Sequence, residues 1–344
     1  MTKKYIVYYP NPGGNIHINL YIGRMIDVLS EYYQVVGIEN ISNDINKIKQ
    51  VKCVILNWME SQLDSRLKRR LYLYRLHKVE IYWVFHNKVP HDCEELQQIK
   101  SLCWLADFCD HIILLSEASR KYLPHYKRNK KKGIVVPLIN YIDAYPKCGS
   151  RDIRKEYNIS EGKVVFTFLG LLRPYKNIDL IINAFQELNL PDAFLLIAGK
   201  IQGNKFRSNL LEMAAENKKI ILDLGYVSSG EMEAYLRASD ILVLPYDIKS
   251  SMNSSAMIMA FSYGRTVIIP QIAMAEDMGG NNLAFIYEYS TKEENYNALK
   301  SKMYEAYKVG RKELAKMGND AKDYVERYNS KAQIVGALRK AGVL

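Results

Sequence analysis

No apolar run in the sequence approaches the roughly 18 uninterrupted residues that a membrane-spanning helix needs. The opening stretch, MTKKYIVYYPNPGG, sets two lysines before a short strand-like run. It has neither the apolar core nor the small-residue cleavage site of a signal peptide, so a cytoplasmic protein is expected. Cysteines number only five (Cys53, Cys93, Cys103, Cys109, Cys148), and none lies beyond Cys148. Without a CxxC pair or a histidine-rich cluster, they read as reduced thiols and argue against both a disulfide framework and a metal centre. There is no GxGxxG, which removes the usual basis for dinucleotide binding. Low-complexity tracts are missing too, and 48% hydrophobic residues make disorder unlikely to be the design.

Negative charge is comparatively scarce. Forty-eight Lys and Arg stand against 37 Asp and Glu, a net charge of +11 over 344 residues, and that length favours two domains. The cations crowd into SRLKRRLYLYRLHK (65–78) and HYKRNKKKG (125–133). Each run suits a solvated face, or attraction to a negative surface. Leucine and tyrosine interleave with the cations of the first run, as in a helix resting on a bilayer interface. RNA would fit the charge, but no RRM-type aromatic signature, zinc finger or basic zipper accompanies it; an anionic membrane is preferred and no nucleic acid is expected.

Strand-like and helical patterns alternate. KKYIVYY, YQVVGIE, VKCVILNW, VEIYWVFHN, HIILLS and GIVVPL read as strands, with a helical pattern from Ile16 to about Tyr32. The pattern restarts after YPKCGS: a short helix in RDIRKEYNI, then KVVFTFLG, AFLLIAG, KIILDLG, DILVLP and TVIIP as strands. Between them lie the helices NIDLIINAFQEL, SSGEMEAYLRAS and NSSAMIMAFSYG. Ser228 three residues before Glu231 is a capping-box pattern, and Gly264 is a helix stop. The alternation predicts an α/β fold of two doubly wound parallel-sheet domains. The boundaries expected are 1–148 and 149–320, with a C-terminal helix, 321–344, packing back toward the first domain.

Ligands of open parallel sheets gather at the carboxyl ends of strands, where the candidate residues lie. Gly13 and Gly14, between a strand and a helix, let backbone approach a ligand, or simply turn the chain. In FLGLLRPYKNID the strand ends at Gly170 and at once offers Arg173 and Lys176. Arginine can fork phosphate oxygens and lysine adds a mobile point charge, so the pair suits a diphosphate. Asn253, Ser254, Ser255 and Ala256 precede or open an apolar helix; they either cap it or present free N–H groups to phosphate. His86, ending an apolar strand, would bond a sugar hydroxyl, act as a base, or sit satisfied in the core.

Taken in order, PNPGG, FHNKVPHD, VVPLINYIDAYP, FLGLLRPYKN, LLIAGK, LGYVSSGEMEAYLRASDILVLPY and NSSAMIMAFSYGRTVIIP resemble the GT-B glycosyltransferases of family 4, in particular bacterial members of surface-polysaccharide clusters. The resemblance covers nearly the whole chain. It implies two Rossmann-like domains facing a central cleft, and transfer of a sugar from a nucleoside diphosphate sugar to a hydroxyl of a lipid-linked oligosaccharide, with retention and without metal. The missing Asp-x-Asp motif agrees with the last point. In catalytic roles it implies His86, Arg173 and Lys176. It places Gly14, Gly170, Tyr226, Val227, Asn253, Ser254, Ser255 and Ala256 on the donor nucleotide and diphosphate, and Gly13, His17 and Asn87 on the acceptor side. The protein would work in the cytoplasm, peripheral to the inner face of the membrane, with a nucleotide sugar as substrate and no cofactor. Two departures stand out: Ser251 and Met259 occupy the places of the family's Glu-x7-Glu pair, and Leu138 replaces the histidine of a PHGNY-like stretch. Two further readings stay open, an inverting transferase with His86 or His17 as base, and a non-catalytic nucleotide-sugar or glycan-binding protein.

Overall fold

The computed structural model describes residues 2–12, 20–41, 44–59, 63–89, 95–147, 149–278 and 282–344. The chain forms two compact units, Met1–Ile139 with Lys249–Asn253 and Asn329–Leu344, and Asn140–Ile248 with Ser254–Tyr328. The division therefore falls at Ile139/Asn140, where 148/149 was expected, and the return falls at Asn329 in place of 321. The reason lies in hydrogen bonds made by the supposed linker. Asn140 Nδ2 donates to the Val325 carbonyl at 3.1 Å, and the Tyr141 amide donates to Ser262 Oγ at 2.8 Å, both within the second unit. In the first unit, Asn329 Nδ2 donates to the Leu138 carbonyl at 2.6 Å.

The first unit is built on β1 (Tyr5–Tyr9), β2 (Gln34–Gly37), β3 (Val51–Asn57), β4 (Glu80–Phe85), β5 (His111–Leu114) and β6 (Gly133–Val135). All pair in parallel in the order β2-β1-β3-β4-β5-β6. Its helices are α1 (Leu20–Ser30), α2 (Ile45–Ile48), α3 (Ser65–Leu76), α4 (Glu95–Phe108) and α5 (Tyr126–Asn129).

The second unit carries α6 (Ile153–Glu156), β7 (Val164–Leu169), α7 (Ile178–Leu188), β8 (Ala193–Ala198), α8 (Asn204–Ala214), β9 (Ile220–Asp223), α9 (Ser229–Ala238) and β10 (Ile241–Val243). It continues through α10 (Ser255–Ser262), β11 (Thr266–Pro270), α11 (Ala273–Met278), β12 (Phe285–Tyr287) and α12 (Lys292–Tyr328); α13 (Lys331–Lys340) returns to the first unit. The second sheet is also parallel, in the order β12-β11-β10-β7-β8-β9. Every residue of β7 is buried, as befits a strand covered on both faces. In α7, Ile178, Ile181, Ile182 and Phe185 repeat at helical spacing and are buried; Phe185 meets Phe166 of β7 edge-on with ring centroids 6.3 Å apart. The capping box on α9 is present, and α10 stops before Gly264, whose φ is +66°.

Sequence patterning passed over β12, a three-residue edge strand too short to show a period, and the length of α12. That helix is interrupted at Gly310, where φ is +74°, a conformation that costs glycine little and a side chain much. The turn brings Arg311 Nε to Asp240 Oδ1 at 3.0 Å, while Arg154 donates to Oδ2 at 2.7 Å and the Val165 amide to the same oxygen at 2.8 Å. Asp240 thereby joins α6, β7 and α12 at the amino end of β10. Breaking such a shielded pair leaves an uncompensated guanidinium, so Asp240→Ala is expected to cost about 3 kcal/mol in urea unfolding. Lys302→Ala, which removes an exposed helical pair with Glu305, should cost about 0.5 kcal/mol or less.

Candidate functional site

Strand order reverses between β7 and β10 in the second unit and between β1 and β3 in the first. The crossover helices part at such points and leave a crevice beyond the carboxyl ends of the strands. In both units an asparagine ties the rim. Asn177 Nδ2 donates to the Pro245 carbonyl beyond β10 at 2.7 Å, and Asn57 Nδ2 donates to the Tyr9 carbonyl at the end of β1 at 2.9 Å.

In the second unit β7 ends at Gly170, whose φ is +141°, and its neighbour β8 ends at Gly199. A Cβ on Gly199 would stand 1.9 Å from the Gly170 carbonyl oxygen, so the two strand ends touch backbone to backbone. Beyond Gly170, Arg173 leads into a short 3-10 turn, Pro174–Lys176, and Asn177 closes it in the left-handed region at φ +52°. The Lys176 ammonium lies 5.7 Å from the Phe168 ring centroid and 5.8 Å from that of Tyr246. Among the described residues no carboxylate pairs with it. Burial, and then the neighbouring positive charge of Arg173, lower its pKa to about 8.

Tyr246 connects this cation to the helix end. Its ring faces Lys176, and its hydroxyl hydrogen-bonds Ser254 Oγ at 3.0 Å. Burial pushes the Tyr246 hydroxyl up to about 12, so it keeps its proton. Ser254 is the N-cap of α10, its hydroxyl accepting from the Met257 amide at 3.0 Å. That oxygen is spent on capping. The amides of Ser255 and Ala256, at the first two helical positions, have no acceptor inside the helix and carry its positive dipole end. Arg173, Lys176, Ser255 and Ala256 thus belong to one rim of one sheet. Tyr226 and Val227 lie on the loop between β9 and α9, Tyr226 75% exposed, beside the capping box of Ser228 and Glu231. Met259, in the second turn of α10, is buried and accepts a 3.4 Å hydrogen bond from the Tyr145 hydroxyl.

Asn253 was expected with the phosphate-binding group and is placed elsewhere. It belongs to the first unit, where its Nδ2 donates to the His86 carbonyl at 3.0 Å and its Oδ1 accepts from Ser116 Oγ at 3.4 Å. The segment before it lies antiparallel to the strand end: Ser251 bridges Asn87, and the Lys88 amide donates to the Ser250 carbonyl at 3.0 Å. Ser251 is therefore held as part of a backbone pairing.

His86 follows β4 and is only 6% exposed. Its Nε2 lies 3.0 Å from Asn57 Oδ1. Because the Asn57 amide nitrogen already donates to Tyr9, Oδ1 is the acceptor and Nε2 carries the proton. Burial lowers the ring's pKa to about 3, so the imidazole is neutral and a poor base. It stacks on Trp58 with ring centroids 4.2 Å apart and 19° between planes, and Tyr21 meets it edge-on at 5.6 Å. Trp58 has φ +47°, a strained setting for a bulky side chain at a strand end. The sequence marks Tyr246 by its position just past a strand end, but does not single out Tyr21, Asn57, Trp58 or Ser116. Of these four, Trp58 and Ser116 follow strand ends, whereas Asn57 closes β3 and Tyr21 lies in α1. Gly13, Gly14 and His17 lie outside the described residues.

The described residues contain no group of three or more His, Cys, Asp or Glu able to hold a metal ion. Cys53, Cys103 and Cys109 are free thiols.

Comparison with known proteins places this arrangement. A family described as "Glycosyl transferases group 1" matches residues 149–323, about half of the chain. A GDP-mannose:glycolipid 4-beta-D-mannosyltransferase of Xanthomonas campestris pv. campestris is 29% identical over 123 residues, 35% of this chain and 34% of that protein. The D-rhamnosyltransferase WbpZ of Pseudomonas aeruginosa is 25% identical over 130 residues, 38% and 32% of the two chains. The matched part thus spans about a third of the length of these curated relatives. Among solved structures, HepE of Anabaena in complex with UDP superposes with a TM-score of 0.71 at 12% identity, covering 99% of both chains. Sucrose-phosphate synthase from Thermosynechococcus elongatus gives 0.71 at 12% identity, covering 98% of this chain and 97% of that one. With two six-stranded parallel sheets of this order, a matching fold over full length and the family match across the second unit, the chain belongs to the group 1 glycosyl transferases and has the GT-B fold.

Proposed function

We propose that the protein transfers a glycosyl group from a nucleoside diphosphate sugar to a hydroxyl of a lipid-linked oligosaccharide in the synthesis of a bacterial surface polysaccharide (capsule, O-antigen or exopolysaccharide). One observation carries this reading. Two adjacent cations, Arg173 and Lys176, and the free amides of Ser255 and Ala256 share a single rim at the reversal of strand order, coupled through Tyr246. Lys176 has no counter-ion among the described residues, and a lowered pKa of about 8 records what it costs to hold a cation there unpaired. A diphosphate would relieve that cost. As the bond to the sugar breaks, negative charge grows on the leaving oxygen, and positive groups at this rim would stabilise it.

The chemistry follows from what the site provides. The glycosidic C–O bond to the diphosphate breaks, the acceptor oxygen bonds to the same face of the anomeric carbon, and the acceptor's proton passes to the departing diphosphate oxygen. Configuration is retained, and the two cations and the helix end neutralise the leaving group without a metal. Neutral His86, fixed by Asn57 and stacked on Trp58, orients a sugar hydroxyl through its unprotonated Nδ1. A glycolipid acceptor is supported by the name of the Xanthomonas relative. It would draw the enzyme to the cytoplasmic face of a membrane.

A second reading has support of its own. The same relative is named for a β linkage, and from an α-linked nucleotide sugar a β product means inversion. Inversion calls for a base, and His86 with a pKa near 3 is unsuited to that role. The anomeric proton coupling of the product by NMR separates the two: retention supports the first reading, and inversion transfers the mechanism to another base.

Alanine at Arg173 or at Lys176 is expected to lower kcat/KM by about 10²-fold, the usual loss for one such stabilising group. Circular dichroism should be unchanged; unaltered transfer would overturn the assignment. The ligand-free Lys176 amine is half neutral near pH 8, and only its charged form pairs with diphosphate. Donor binding should therefore weaken above about pH 8, and Lys176→Arg should abolish the decline, since guanidinium stays charged.

The same shift has a stability consequence of opposite sense. A lysine with a depressed folded pKa destabilises the fold below about pH 8, and the penalty fades as pH rises toward the unfolded value of 10.5. Lys176→Met should thus raise the unfolding temperature of the ligand-free protein at pH 7 while abolishing the stabilisation that UDP or GDP gives the parent. Nucleotide at about 100 times its Kd should stabilise the parent by about 2.7 kcal/mol.

A further inference from the structure

The first unit carries a surface that the donor site does not use. The exposed positions of α3 include Arg66, Arg69, Tyr72 and Leu76, spaced three to four residues apart and so aligned along one face. Tyr72 is 54% exposed and Leu76 76%. The face continues onto α4. Tyr72 stands edge-on to Phe108 at 4.8 Å and to Trp104 at 6.2 Å, and Trp104 stacks on Phe108 at 4.3 Å with 13° between planes. Lys68 places its ammonium 5.1 Å from the Trp104 ring centroid. The result is a half-exposed aromatic strip bordered by cations.

The acids around this strip are occupied or few. No Asp or Glu occurs within α3 itself, and Asp64 is taken up in capping it, accepting from the Leu67 amide at 2.7 Å. Asp110 faces Arg75 at 4.0 Å. Asp107 binds Arg128, His125 and Asn129. By contrast, Arg66 and Arg69 make no ion pair or hydrogen bond to any described residue.

The second basic run has a different job from the one its composition suggested. Lys132 Nζ donates to the carbonyls of Ala106 at 3.0 Å and Asp107 at 2.9 Å, at the end of α4, and Arg128 pairs with Asp107. These cations cap α4 and hold its aromatic residues against α3. The first run meets the outside, and part of the second props it.

We propose that the α3–α4 face docks on anionic lipid bilayers, with Arg66, Lys68 and Arg69 in the headgroups and Tyr72, Trp104 and Leu76 at the boundary with the acyl chains. Tyrosine and tryptophan prefer that depth because each joins an apolar ring to a polar tip. Basic residues beside them add attraction to anionic headgroups. The inference deepens the lipid-linked acceptor proposed above, but stands on this face alone.

The test is co-sedimentation of the full chain with vesicles of phosphatidylcholine with and without phosphatidylglycerol, at about 0.15 M salt. Binding is expected only with phosphatidylglycerol. Arg66→Gln with Arg69→Gln should weaken it about 25-fold, roughly fivefold for each cation removed. Lys127→Gln with Lys131→Gln, which removes the same charge from the other run, should weaken it far less. Tyr72→Ser with Leu76→Ser should remove the binding that persists at high salt. All three double variants should keep the thermal stabilisation by UDP or GDP, so failure on vesicles is distinguishable from failure at the donor site. No binding to phosphatidylglycerol vesicles, equal loss from the two charge pairs, or binding to single-stranded RNA that outcompetes the vesicles would overturn the proposal.

Discussion

Everything at the candidate site rests on one constraint, the reversal of strand order in an all-parallel sheet. Crossovers starting from β7 in one direction and from β10 in the other send their connections apart, which opens a crevice beyond those two strand ends. Whatever follows β7 and β10 must line that space. In this chain it is an Arg-x-x-Lys turn on one side, and a tyrosine followed by a helix N-terminus on the other. Asn177 holds the two sides together by bonding the Pro245 carbonyl. Several modest groups are thereby brought to one rim by the topology.

The two units use their reversal points in opposite electrostatic styles. The second gathers two cations, and burial together with the neighbouring charge of Arg173 lowers the Lys176 pKa to about 8. The first gathers neutral polar and aromatic groups. An imidazole stripped of basicity by burial is stacked on an indole and fixed through Asn57 to the backbone of β1. A charged ligand portion suits the former and a hydroxyl-rich, uncharged ring suits the latter.

The departures from the family pattern acquire a physical meaning as well. At Met259 the chain has a thioether that accepts from the Tyr145 hydroxyl, so the position is occupied by an internal contact. Ser251 is fixed by pairing with Asn87 in the first unit.

By itself the sequence determined the elements and their alternation. Strands such as VVFTFL and AFLLIA are buried on both faces, so their composition announces them, and the capping box at Ser228 and the stop at Gly264 are local chemistry with a local signature. It also offered Arg173 and Lys176, a pair that is weak evidence taken alone and gained weight from its place after a strand-ending glycine. Tertiary structure alone decided where Asn253 goes, that Ser254 spends its hydroxyl on a cap, and that His86 is too buried to take a proton. It also decided that Lys132 and Arg128 brace α4 while Arg66 and Arg69 face outward. The difference is one of range: propensity, periodicity and capping act over a few neighbours and are written in the local string. Desolvation and partner choice depend on residues scores of positions away, which only the folded chain brings into contact.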